Sequence, residues 1–85
     1  MEEKRYDIDV ERDVFIDRAV QTVINYENLI DNMGIDKKDI DNPVIIRYEE
    51  VTRLSNAAYD FKTYEEIDDA EEKLDEIRRY YCELQ

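Results

Sequence analysis

The chain has no histidine and no tryptophan, and it carries one glycine, one proline and one cysteine in 85 residues. Each shortage excludes something. Without histidine the commonest general base and the commonest neutral metal ligand are both missing. A single glycine, Gly34, cannot build a backbone loop that cradles phosphate. Ser55 is the sole serine and falls within an expected helix with no base beside it, so it is read as an ordinary helix residue. The lone Cys82 allows no intramolecular disulfide; a free thiol off the apolar stripe of its segment suits a reducing cytoplasm, the localisation expected here. No stretch approaches the roughly 18 apolar residues of a membrane span, and residues 1–7 lack the basic-then-apolar order of a signal peptide. These absences lead to the expectation of a non-enzymatic protein with no catalytic residue, no cofactor, no metal and no membrane association.

One stretch comes near a metal-binding pattern. Asp39 and Asp41 take the first and third places of a calcium loop whose twelfth would be Glu50, but Pro43 would stand at the fifth and Val44 at the sixth, where glycine is needed. Two failures at essential places remove it.

What the chain has in abundance is negative charge. Twenty-four acidic residues against 12 basic ones give a net charge of −12 in a chain that is 42% charged. Such a protein is repelled by anionic lipid and by nucleic-acid backbones, so its natural partners are basic surfaces. Nine aromatic residues and many regularly spaced Ile, Val and Leu argue for a folded domain despite that charge. The size allows a single domain, residues 1–85, with a thin core.

The most periodic stretch runs from Thr63 to Leu84. Ile67, Ala70, Leu74, Ile77, Tyr81 and Leu84 recur at three and four, which places them on one helical stripe. Thr63 followed three residues later by Glu66 marks the start as a capping box. A broad apolar sector between Val10 and Met33 predicts a central helix touching two neighbours, closed by Gly34 and Ile35 in a Schellman motif. Asn42 as cap and Pro43 at the first helical position open another helix, with Val44, Tyr48, Val51, Leu54, Ala58 and Phe61 near one face. The expected fold is therefore all-α, a compact three-helix bundle with an N-terminal arm at 1–9 and helices at about 10–33, 43–60 and 64–84. The short joint Phe61-Lys62-Thr63 should lay the last two helices nearly antiparallel. The alternation of Tyr6, Ile8 and Val10 with Asp7 and Asp9 keeps one alternative, a small α+β fold with a short N-terminal strand paired to Val44-Ile45-Ile46.

The functional clue is the outer face of the last helix. Residues 65–76 hold eight carboxylates in twelve positions, and residues 63–85 hold nine acids against three bases, half the net charge of the chain. Asp69 with Lys73 and Asp75 with Arg79 are favourable pairs at i,i+4, whereas Glu65 with Asp69, Glu71 with Asp75 and Glu72 with Glu76 repel at the same spacing. Carboxylates on adjacent turns stand about 5–6 Å apart at Cβ, of the same order as phosphates along a nucleic-acid strand. In size, charge and poverty of motifs the chain resembles small acidic phage and mobile-element proteins, among them anti-CRISPR and anti-restriction inhibitors. The resemblance is compositional and carries no residue roles. It implies a DNA or RNA mimic that occupies the basic groove of a nucleic-acid-binding protein and does not itself bind nucleic acid. The expected partner-binding residues are Glu65, Asp68, Asp69, Glu72, Asp75 and Glu76, flanked by Tyr64 and Tyr80. The alternative is a helical interaction or self-assembly module that binds through an apolar and tyrosine-rich face, including a homodimer formed through the unused part of the first helix.

Overall fold

The computed structural model describes residues 5–84, so Met1 to Lys4 of the expected arm lie outside the described residues. The chain folds as α1 (Ile8–Met33), α2 (Pro43–Ala57), a single 3₁₀ turn (Ala58–Asp60) and α3 (Tyr64–Glu83). No strand occurs among the described residues, and the all-α three-helix bundle is the fold.

Local chemistry explains the boundaries. The Asp7 carboxylate accepts the Asp9 backbone N–H and caps α1, and Asp9 and Glu11 in the first turn suit the positive end of the helix dipole. The expected extended arm therefore ends at Asp7 rather than at residue 9, and Ile8 to Val10 form the first helical turn. Three alternating residues are too few to outvote a cap. Gly34 sits at φ 66°, its N–H bonded to Asp31 O, while Ile35 N–H reaches Ile30 O at 3.0 Å. This is the Schellman pattern read from the sequence. Asn42 Oδ1 accepts from Val44 N ahead of Pro43, and Thr63 and Glu66 form the full capping box. Residues 58–60, expected to continue α2 as α-helix, tighten into the 3₁₀ turn instead, a common way for a helix to end.

Side-chain contacts fix the arrangement. Phe15 of α1 packs on Phe61 beyond the end of α2, with ring centroids 5.9 Å apart, and Arg12 donates to Phe61 O. Tyr26, near the other end of α1, meets Tyr81 of α3 at 5.6 Å and donates its hydroxyl to Ile77 O. Arg47 at the start of α2 covers Tyr80 near the end of α3. So α1 and α3 run parallel and α2 lies antiparallel to both. The bundle measures 49 × 24 × 18 Å.

The core takes Phe15, Ala19, Tyr26, Leu29 and Ile30 from α1; Val44, Ile45, Val51 and Ala58 from α2 and its last turn; and Ile67, Ala70, Leu74 and Ile77 from α3. Each large aliphatic side chain fully buried there contributes about 1.5–3 kcal/mol. Tyr26 is wholly buried, and burial pushes its pKa up to about 12. Two buried hydroxyls satisfy themselves locally, Thr22 on Arg18 O and Ser55 on Thr52 O. Leu84, last on the expected stripe, is the C-cap one residue past the end of α3 and is exposed. The apolar sector of α1 is only partly used: Val10, Val14, Val20 and Ile24 remain 41–46% exposed.

Candidate functional site

The site is built on α3. Its buried stripe and its capping box fix the rotation and the start of the helix, so the opposite face is presented in a defined order. Glu65, Asp68, Asp69, Glu72, Asp75 and Glu76 are all exposed on it. Arg79 joins them in the later turns, also exposed, so the face is acidic over its first three turns and mixed after that.

The pairing pattern differs from the spacing argument. Among the described residues the ion pairs are Arg5 with Glu11, Arg5 with Asp68, Arg12 with Asp9 and Lys37 with Glu27. Asp69 with Lys73 and Asp75 with Arg79 are not at ion-pair distance. Of the six carboxylates, only Asp68 has an ion-pair partner among the described residues, and that partner comes from the other end of the chain. Arg5 donates to Asp68 through Nη1 and Nη2 at 3.1 and 2.9 Å, and to Glu11 through Nε and Nη2. The hydrogen bonds from Arg5 hold the Asp68 carboxyl below its ordinary value. The Glu66 carboxyl is likewise lowered, first by the Lys62 backbone N–H and then by the Thr63 hydroxyl, so this acid serves the cap and not the open face.

The two flanking tyrosines do not share one surface with each other. Tyr64 and Tyr80 lie 16 positions apart, about 24 Å along the axis, and on opposite edges of the acidic face. Each is half-buried and covered by a guanidinium: Arg5 stands 4.4 Å from the Tyr64 ring centroid and Arg47 stands 4.2 Å from that of Tyr80. The Tyr64 hydroxyl also donates to Tyr6 O at 2.8 Å. Arg5, Glu11 and Arg47 are not among the residues expected from the sequence. Glu11 had a weak signal as a first-turn acid, but nothing local relates Arg5 to a carboxylate 63 positions away.

Open recesses follow the helix seams. One between α2 and α3 is lined by Glu50, Arg53, Leu54, Ala57 and Lys73, and one between α1 and α3 by Asp17, Arg18, Gln21, Thr22, Asn25 and Arg78. Both are mixed in charge, and neither brings a nucleophile to a base. Among the described residues no three carboxylates or thiols converge as a metal-binding group, and no helix is long and apolar enough to cross a membrane. Cys82 is exposed.

Fold and surface together define a class: an acidic three-helix bundle that displays one carboxylate-rich helix face. No family model matches the chain, and no curated protein or solved structure matches it either.

Proposed function

We propose that this protein is a non-enzymatic cytoplasmic inhibitor or regulator that presents the acidic face of α3 to the basic groove of a nucleic-acid-binding partner, in the manner of the nucleic-acid mimics of phages and mobile elements. One observation carries the reading. Glu65, Asp69, Glu72, Asp75 and Glu76 are exposed and without an ion-pair partner among the described residues, on a helix whose start and rotation are fixed by the cap and core. A field of uncompensated carboxylates on a rigid rod costs some stability through repulsion. It offers in return fast, charge-steered association with a cationic groove.

The test is partner capture with the tagged protein, followed by challenge with salt and with competing DNA or RNA. A nucleic-acid-binding protein released by both agrees with mimicry. Reversal of Glu65, Asp69, Glu72 and Asp75 to lysine should abolish that capture with helicity unchanged; retained affinity would sink the proposal. Asp68 is left out of this set because its change also breaks the contact with Arg5.

A second reading has its own observation. Val10, Val14, Val20 and Ile24 are exposed within about a third of the circumference of α1, interrupted by Asp13, Asp17 and Gln21. An interaction or homodimerisation surface there predicts assembly that is insensitive to salt and lost when Val20 and Ile24 become glutamine, as measured by light scattering across concentration.

A further inference from the structure

The contact made by Arg5 is more than a surface ion pair. Its guanidinium stands between the Glu11 and Asp68 carboxylates, each of which accepts two of its hydrogen bonds, and lies over the Tyr64 ring. Two carboxylates and an aromatic face are a chemical match for arginine specifically, because the planar fork can bond bidentately at its edges while its face stacks. The three cradle residues come from two helices: Glu11 from the first turn of α1, Tyr64 and Asp68 from the start of α3. The occupant comes from neither, but from the segment just ahead of the α1 cap. We infer that this cradle is an arginine-binding site at the edge of the acidic face, and that Arg5 is its internal occupant, displaced when an arginine of the basic partner takes its place.

The inference rests on the proposed acidic-face function and refines it by naming the side chain the face recognises. The arm is suited to exchange. Its Arg5 side chain is 37% exposed and Asp68 53%, so the pair is reached by solvent and is individually weak. Tyr6 is 75% exposed and adds little burial, so among the described residues the Arg5 contacts and the bond from the Tyr64 hydroxyl to Tyr6 O hold the segment across the gap. Asp7 caps α1 on its own, through Asp9 N, so releasing Arg5 does not require the helix to unwind. Opening the arm would add Asp68, and the side of Glu11 now covered, to the free carboxylates of α3. An internal occupant lowers apparent affinity by the fraction of molecules in which the site is free, which sets the size of the expected effect.

The experiment uses the full chain, with nona-arginine and nona-lysine peptides as probes and calorimetry as readout. Arg5→Ala should bind nona-arginine about three- to tenfold more tightly than wild type. Arg5→Lys keeps the net charge and loses the bidentate fork, so it should give a smaller gain in the same direction without any change in overall field. Gains for nona-lysine should be weaker, and adding Glu11→Gln with Asp68→Asn to Arg5→Ala should erase the preference for arginine. Circular dichroism checks that each variant keeps its helicity; if Arg5→Ala loses it, Arg5→Lys carries the test. Equal binding by wild type and the Arg5 variants, or equal gains for both peptides, overturns the inference. If that happens while lysine at Glu65, Asp69, Glu72 and Asp75 still abolishes peptide binding, the acidic-face function survives without its latch. Peptide binding by no variant overturns both.

Discussion

α1 and α3 run side by side, yet they solve different problems. α3 keeps its apolar residues to a narrow stripe and exposes acids almost everywhere else, whereas α1 spreads apolar residues around much of its girth and leaves Val10, Val14, Val20, Ile24 and Met33 exposed. The difference follows from position. α1 packs against both other helices and against the turn after α2, so its two contact faces merge into a sector too wide for a single stripe. α3 packs its buried side against α1 and α2 alone and has its other side free to specialise. A clean amphipathic pattern therefore marks a helix with one job inside and another outside, and a smeared pattern marks a helix that serves several partners.

The largest expected difference between the helices is in the core. Leu74→Ala in α3, at a position 1% exposed, should cost about 2–5 kcal/mol in urea unfolding, enough to threaten the fold of so small a domain. Val20→Ala in α1, at 41% exposure, should stay within about 0.5 kcal/mol. A large loss at Val20 would mean that the open sector of α1 is covered, by a second copy or otherwise.

The contact that ties the two helices together gives the next effect. Tyr26→Phe removes the hydroxyl bonded to Ile77 O and should cost about 1 kcal/mol. It should also change the alkaline limb. The folded-state pKa of Tyr26 is raised from 10.0 to about 12, so the stability that its neutral form contributes is complete below pH 10 and is lost as pH climbs from 10 toward 12. In Tyr26→Phe that part of the slope should disappear from a pH series of denaturant midpoints. An unchanged slope would assign it to the other tyrosines.

The caps offer a comparison of similar or smaller size. Thr63→Ala should cost about 1 kcal/mol, because the Glu66 backbone N–H loses the hydroxyl that accepts it, while the backbone N–H groups of residues 62 and 63 still reach the Glu66 carboxylate. The acid limb belongs to the same end of the helix. Glu66 and Asp68 are both lowered, so what their charged forms contribute is present above their ordinary values of 4.5 and 3.8 and fades as pH falls below them. Arg5→Ala should weaken the Asp68 share alone, a small effect seen as a flatter acid limb. Smallest of all, Ile24→Gln should leave the melting temperature of a monomer nearly unchanged. Loss of a dimer on this change would instead favour the α1 surface as the working one.

Much of the fold could be read along the chain because its signals are local. The Gly34–Ile35 closure, the Asn42-Pro43 opening, the Thr63–Glu66 box and the α3 stripe each rest on residues within about one to six turns of a helix, and helix chemistry acts over that range. The misreadings have the same origin. Ile45, outside the apolar face expected of α2, is wholly buried, because α2 packs against both α1 and α3 and so covers more than one face. Nothing local separates Tyr26 from the other tyrosines; its burial depends on α3, which supplies the Ile77 carbonyl for its hydroxyl.

The acidic face divides along the same line. Its residues and their spacing were determined by the sequence, since a helix with a fixed buried stripe has no freedom over what it exposes. Which of those acids are open was decided by the tertiary structure alone. The pairs that spacing allowed, Asp69 with Lys73 and Asp75 with Arg79, are not made, and Asp68, which spacing left free, is held by Arg5. Long surface side chains choose among several partners separated by little energy, and the choice falls to whichever guanidinium the packing of distant segments delivers with its fork and its stacking face both satisfied.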